Sequence, residues 1–189
     1  MVKHLHRLFP ALYPAPVLLV TCVDADGTPN VATVSWAGIV ASDPPQVAVG
    51  LRPYRFSNAL IRGSGEFAIN CPTEEMLAAV DHCGMASGRD APKLPSPGLT
   101  PEPASQVRAP LIKECPLSLE CRVTHTLDLG SHTLFVGEIV AVQVEDSVLT
   151  PDGLIDYRRV RGLALLGNEY HRIGKCLGTE GLSLKTTRG

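Results

Sequence analysis

Short apolar runs, broken by glycine and proline, set the pattern of this chain. Pro16-Val-Leu-Leu-Val-Thr-Cys-Val23 is apolar and β-branched, which predicts a strand. Asp24-Ala-Asp-Gly-Thr-Pro29 follows, and Asp26-Gly27 between two apolar runs is a hairpin signal. From Asn30 the residues alternate, with Val31, Thr33, Ser35 and Ala37 on one side and Ala32, Val34, Trp36 and Gly38 on the other. A single strand running to Pro44-Pro45 is the expectation, because proline lacks the N–H that a sheet ladder needs. Gln46–Leu51 and Glu66–Cys71 read as further strands. Between them, Ser57–Arg62 predicts a short helix capped by Ser57 and stopped by Gly63-Ser-Gly65. Thr73 is placed to cap a second helix over about 74–85, and residues 3–12 predict a helical turn closed by Pro10 and Pro14.

The character changes at 86–110, where repeated prolines predict a long irregular loop of the kind that serves as a lid or binding loop. Leu117–Val123 and His132–Val144 are strands again, joined through Asp128-Leu-Gly-Ser131. The second is apolar in both alternating sets, so both of its faces should be covered, one of them by a partner subunit. An Asp-Gly turn at 152–153, an apolar patch Leu163–Leu166 and a mobile tail are expected beyond it. With some six strands, short turns and few helices, a doubly wound sheet is disfavoured. A mainly β fold, a six-stranded antiparallel barrel with short helical insertions, fits better.

Length and composition narrow the class. The 189 residues suit one domain over 1–189, and 44% hydrophobic with 19% charged residues describes an ordinary folded chain. A net charge of −2 provides no global field for nucleic acid or membrane, though a local basic loop can still hold a phosphate. No run approaches the ~18 apolar residues of a membrane span, and the start lacks a signal-peptide core, so a cytoplasmic location is expected. The six cysteines are scattered, three of them inside strand-like runs, and read as small core residues of a reducing compartment.

Dinucleotide-binding, P-loop, zincin and nucleophile-elbow motifs are all missing, and neither the His nor the Cys spacings match a metal site. What remains is Trp36, the only tryptophan, on a strand that also carries Asn30, Ser35 and Ser42. That is more hydrogen-bonding capacity than a core strand buries without partners. Arg52, Arg55 and Ser57 lie at a helix start, where backbone N–H groups and the helix dipole favour an anion. A core indole with an ordinary basic loop is the structural alternative. Arg89, Lys93 and His132 are, taken singly, surface charges or a turn residue.

Taken in order, these pieces resemble a known family. Pro16–Thr21, Asp26-Gly27, Asn30-x5-Trp36, Ser42-Asp-Pro-Pro45, Arg55-x-Ser57 and Glu66–Asn70 come first. Ser87-Gly-Arg-Asp-x-x-Lys93, Leu119-Glu-Cys121 and Gly130-Ser-His132-x3-Val-Gly-Glu138 complete the pattern. It resembles the flavin reductase-like family, and within it the flavoredoxin-type branch, over about residues 10–175. The resemblance implies an FMN-binding, Greek-key split β-barrel that forms a homodimer, with the flavin in a cleft near the subunit interface. By position it implies that Asn30, Trp36, Ser57, Lys93 and His132 contact the flavin. The residue reading adds Ser35 and Ala37 beside Trp36, and Arg55 for the phosphate. His132 stands where many relatives carry Gly-Asp-His, with Ser131 as the middle residue here, and is the candidate for a catalytic role at the nicotinamide. The implied activity is electron transfer from NAD(P)H through FMN to free flavin, ferric iron or a protein. The alternatives are a flavoredoxin-like carrier without its own nicotinamide site, and a non-redox barrel for another phosphorylated ligand.

Overall fold

In the computed structural model, which describes residues 1–185, twelve strands are found among the described residues. They are β1 (Ala15–Pro16), β2 (Leu18–Val23), β3 (Pro29–Val34), β4 (Ala37–Ser42), β5 (Pro45–Leu51) and β6 (Glu66–Cys71). After these come β7 (Pro101–Glu102), β8 (Leu111–Ile112), β9 (Leu117–Asp128), β10 (Thr133–Val144), β11 (Leu163–Leu166) and β12 (Glu169–Arg172). Seven of them pair into one wholly antiparallel sheet in the order β3-β2-β6-β9-β10-β5-β4. The expected count of six is therefore corrected to seven. The extra strand arises because the run from Asn30 is two strands, interrupted at Ser35 and Trp36.

That interruption explains the barrel. The strands β3 and β4 are consecutive in the chain yet occupy opposite edges of the sheet. Six inter-strand steps in a flat sheet would separate them by about 29 Å. A two-residue link spans at most about 11 Å. The sheet must therefore curl until its edges meet, and Ser35-Trp36 is the covalent seam where they do. The seam is also bonded to the neighbouring strand, since the Gly50 N–H donates to the Trp36 carbonyl at 2.7 Å.

The barrel interior is filled by Val20, Cys22, Val34, Val49, Phe67, Ile69, Cys121 and Phe135. Gly137 is required there, because a Cβ at that position would stand 2.6 Å from the Phe67 ring. On the outside of β2 and β3 lies α2 (Leu77–Met85), whose Val80 and Cys83 pack with Leu19, Val31, Leu94 and Ile112. Strand β2 is thus covered on both faces, which accounts for its unbroken apolar run. The small sheet β1-β11-β12 fastens the C-terminal hairpin to this layer, with Tyr170 donating to Asp81 and Arg172 pairing with Glu74.

Loop 86–110 is irregular apart from β7, and its far end is pinned to the barrel by a buried carboxylate. Glu120 accepts from the N–H and hydroxyl of Ser105, the N–H of Gln106 and the amide of Gln143. Residues 1–14 form no helical turn, contrary to the pattern at 3–12, because Leu5, Leu8 and Leu12 stay exposed and no apolar face is buried to stabilise so short a helix. The mobile tail expected at the C-terminus falls partly on residues 186–189, outside the described residues.

Candidate functional site

The helix α1 (Phe56–Ser64) begins two residues earlier than a Ser57 cap requires. Arg55 is the N-cap, in extended conformation and without a side-chain cap bond. Ser57 already lies in the first turn, and its hydroxyl is engaged elsewhere, accepting from Asn30 Nδ2 at 2.7 Å. The first-turn N–H groups therefore have no side-chain acceptor, which leaves the positive end of the helix available to an anion.

Asn30 is buried on β3, and its Oδ1 has no hydrogen-bond partner among the described residues. A buried amide oxygen left unpaired costs about 1–3 kcal/mol. The loop passes close beside it. A Cβ on Gly88 would meet Asn30 Oδ1 at 2.1 Å and the Phe56 ring at 3.1 Å, so only glycine permits this approach. The loop is held there by Arg89, which lies over the Phe56 ring and donates to the Tyr54 carbonyl.

Two cations close this cleft by docking on the carbonyl end of α2. Lys93 is buried, its ammonium donating to the carbonyls of Cys83 at 3.1 Å and Ala86 at 3.3 Å. Burial lowers its pKa from the ordinary lysine value. Arg55 donates to the Gly84 carbonyl at 2.8 Å. A helix C-terminus attracts cations. The sequence pattern offered no sign that α2 would place them beside Ser57.

A second cleft adjoins the first, sharing Thr33, Leu51 and Arg55 with it, and continues to Ser35, Trp36, Arg52 and His132. Trp36, on the seam, is 43% exposed, which excludes the alternative of a core indole. Its ring stacks on His132 with centroids 4.0 Å apart and planes 28° from parallel. The histidine is set by the turn that precedes β10: Leu129 N–H donates to its carbonyl, and Ser131 Oγ lies 3.0 Å from its Nδ1. Asp128, bonded to Arg62 and Thr133, fixes that turn against α1. Burial lowers the His132 pKa, and the charge of Arg52 lowers it further. Ala37 lies on the far side of the indole, with Gly38, Ala48 and Leu129.

Seven of the eight residues proposed to contact the cofactor therefore fall along one groove, with Asn30, Arg55, Ser57 and Lys93 at its inner end and Ser35, Trp36 and His132 at its outer end. Ala37 does not line it, because the indole of Trp36 stands between. Sequence reasoning missed Thr33 and Phe56, which carry no recognisable local signal, and gave no role to Gly88, although it lies within the quoted Ser87-Gly-Arg-Asp run. No carboxylate lines either cleft. The thiols beside the inner end are inert, since burial pushes Cys22 up to about 11 and raises Cys83 as well. Among the described residues no cluster suits a metal ion. The arrangement suits a flat, anionic ligand with hydrogen-bond donors.

Known proteins are similar to this chain over most of its length. An uncharacterised protein of Archaeoglobus fulgidus is 36% identical over 149 residues, covering 79% of this chain and 83% of its own. The structure of a flavoredoxin of Desulfovibrio vulgaris (Miyazaki F) superposes with a TM-score of 0.90 at 34% identity, covering 96% of this chain and 99% of that one. A flavoredoxin from Methanosarcina acetivorans superposes with a TM-score of 0.86 at 32% identity, covering 97% and 98%. The model of the flavin reductase like domain matches residues 10–164, most of the chain and every residue of the groove, and the protein belongs to that family.

Proposed function

We propose that this protein is an FMN-binding oxidoreductase that passes electrons from NAD(P)H, through the flavin, to a second acceptor such as free flavin, ferric iron or a protein. The observation that carries the reading is the unpaired Asn30 Oδ1, buried at the inner end of a groove that ends in an exposed aromatic plate. Bound FMN supplies a ring that takes up and releases the electrons. The protein's part is to bind and orient. The α1 N-terminus and Arg55 would hold the phosphate, Asn30 Oδ1 would accept a hydroxyl or N–H of the ligand, and Trp36 would cover the ring. Lys93, at the inner end, would add positive charge to the groove, which favours an anionic ligand and a negatively charged reduced state. His132, whose pKa burial and the charge of Arg52 lower, has its Nδ1 engaged by Ser131 Oγ and would offer its Nε2 where the nicotinamide arrives.

The whole chain, 1–189, is read as one such domain with its core over about 10–175, working as a homodimer in the cytoplasm. Ile39 and Val40, on the edge strand β4 next to Trp36, are 83% and 54% exposed. No helix among the described residues is long and apolar enough to cross a membrane.

A flavoredoxin-like carrier without its own nicotinamide site is the second reading. It is favoured by the 34% and 32% identity to two proteins named flavoredoxin. Titration with FMN, followed by its visible absorption, tests the binding; a protein that takes up no flavin overturns both readings. Steady-state oxidation of NADH or NADPH by the FMN-loaded protein then separates them, since turnover supports the first and its absence the second.

A further inference from the structure

The arginines of this protein divide sharply. Among the described residues, every arginine from Arg55 to Arg172 donates to a carbonyl or a carboxylate. Arg55, Arg89, Arg122 and Arg159 reach backbone carbonyls. Arg62, Arg108, Arg158, Arg161 and Arg172 pair with Asp or Glu. Outside that run, among the described residues, Arg7 in the extended N-terminal segment and Arg52 make no side-chain hydrogen bond or ion pair, and of the two only Arg52 lines a cleft, beside Trp36 and His132. The cleft lining contains no acid and adds Arg55 as a second cation, so the positive charge at the mouth is not offset locally. The backbone around Arg52 is not loose. Its carbonyl accepts from the Arg55 N–H at 3.0 Å, a tight turn that sets the guanidinium at the mouth while Arg55 reaches inward to α2.

The two ends of the groove thus carry separate anion-binding equipment. The inner end has the start of α1 and Arg55, enough for one phosphate. The outer end has Arg52, which the flavin reading leaves without a task. We propose that Arg52 binds a phosphate of the second substrate, the one that docks beside His132 at the mouth of the outer cleft. The planar guanidinium forks onto phosphate oxygens, while the flat ring of the same molecule reaches toward His132. This rests on the flavin reading for the occupant of the inner cleft. The chemistry is shared by two sources, a nicotinamide nucleotide as donor and a free flavin nucleotide as acceptor.

Steady-state kinetics of the FMN-loaded protein distinguishes the two sources. If the donor is read, Arg52→Ala raises the KM for NADH or NADPH about tenfold with kcat within about threefold, whereas 1-benzyl-1,4-dihydronicotinamide, which has no phosphate, is unaffected. If the acceptor is read, the KM for free FMN rises and that for riboflavin does not. Arg52→Lys restores part of either loss, because a point charge replaces the fork. Losses that are equal with and without phosphate on the substrate overturn the proposal. A measurement independent of flavin and of turnover accompanies this: inorganic pyrophosphate is titrated into the protein while the His132 ring protons are followed by NMR. Pyrophosphate shifts the ring in the parent protein and binds about tenfold more weakly to Arg52→Ala. Equal binding to both, or none to the parent, overturns the assignment. Failure to bind FMN would overturn the flavin reading alone and leave the pyrophosphate result to decide on Arg52.

Discussion

Asn30 and Asn70 are the same residue, both buried, on strands separated by β2, and they are opposite in kind. Every hydrogen-bonding position of Asn70 is used: Nδ2 donates to the Leu19 carbonyl and Thr21 Oγ1, and Oδ1 accepts from the Ile112 N–H and Ser118 Oγ. It ties β2, β6, β8 and β9 together. Asn30 uses only its amide nitrogen, toward Ser57, and keeps its oxygen unpaired beside the loop at Gly88. A fully satisfied polar cluster rigidifies a core, whereas a half-satisfied one is a cost that something else must offset. The first is how this fold holds itself together. The second marks where it holds something else.

This contrast breaks if the two asparagines respond alike to mutation. The largest effect is expected from Asn70→Ala, which strands the Ile112 N–H and the Leu19 carbonyl and costs about 3 kcal/mol of folding stability. Urea unfolding measures it, and the FMN affinity of the folded fraction should stay within about twofold. Trp36→Ala comes next and inverts the pattern: FMN binding weakens by about 2 kcal/mol, or roughly thirtyfold, while the unfolding midpoint hardly moves, since the indole is already exposed. Asn30→Ala follows with about a tenfold loss of FMN affinity by fluorescence titration and a stability change below about 1 kcal/mol. A large stability loss at Asn30 with unchanged FMN affinity would make it another Asn70.

The smallest effect concerns pH. Burial alone would raise the pKa of Glu120, but the Gln143 amide and the Ser105 and Gln106 donors outweigh it, and the net shift is downward from 4.5. A depressed carboxylate stabilises the fold above its unfolded pKa and loses that contribution as pH falls through the folded value. Stability should therefore decline below about pH 4.5, and Glu120→Gln should flatten this acid limb. Thermal unfolding between pH 3 and 7 measures it. Trp36 fluorescence, which reports on His132, should be unaffected by that substitution.

Much of the architecture was legible because it depends on local pattern. The Asp26-Gly27 turn does join an antiparallel pair, and Gly27 has the positive φ of 86° that such a turn needs. The helix after Arg55 and the β9–β10 pair fall where the runs placed them. The misreading of 30–42 as one strand has an equally local cause. Alternation carries on through Ser35 and Trp36, and a period of two is blind to which neighbour a strand pairs with. Ser57 looked like a cap because serine favours that position, and only Asn30, 27 residues earlier in the chain, shows that its hydroxyl is taken.

By itself, the order of residues settled that this chain is a mainly β protein of the flavin reductase-like kind, with Trp36, Ser57, Lys93 and His132 among its candidates. Tertiary structure alone decided that these fall along one groove, that the barrel closes at a two-residue seam carrying the indole, and that Asn70 is spent while Asn30 is not. The reason is physical. Strand and turn formation follow from backbone sterics and side-chain period within a few residues, whereas satisfaction of a buried polar atom depends on groups that only the closed barrel brings within hydrogen-bonding distance. Asn70 finds its partners 42 to 51 residues away along the chain. No such partner reaches Asn30 Oδ1.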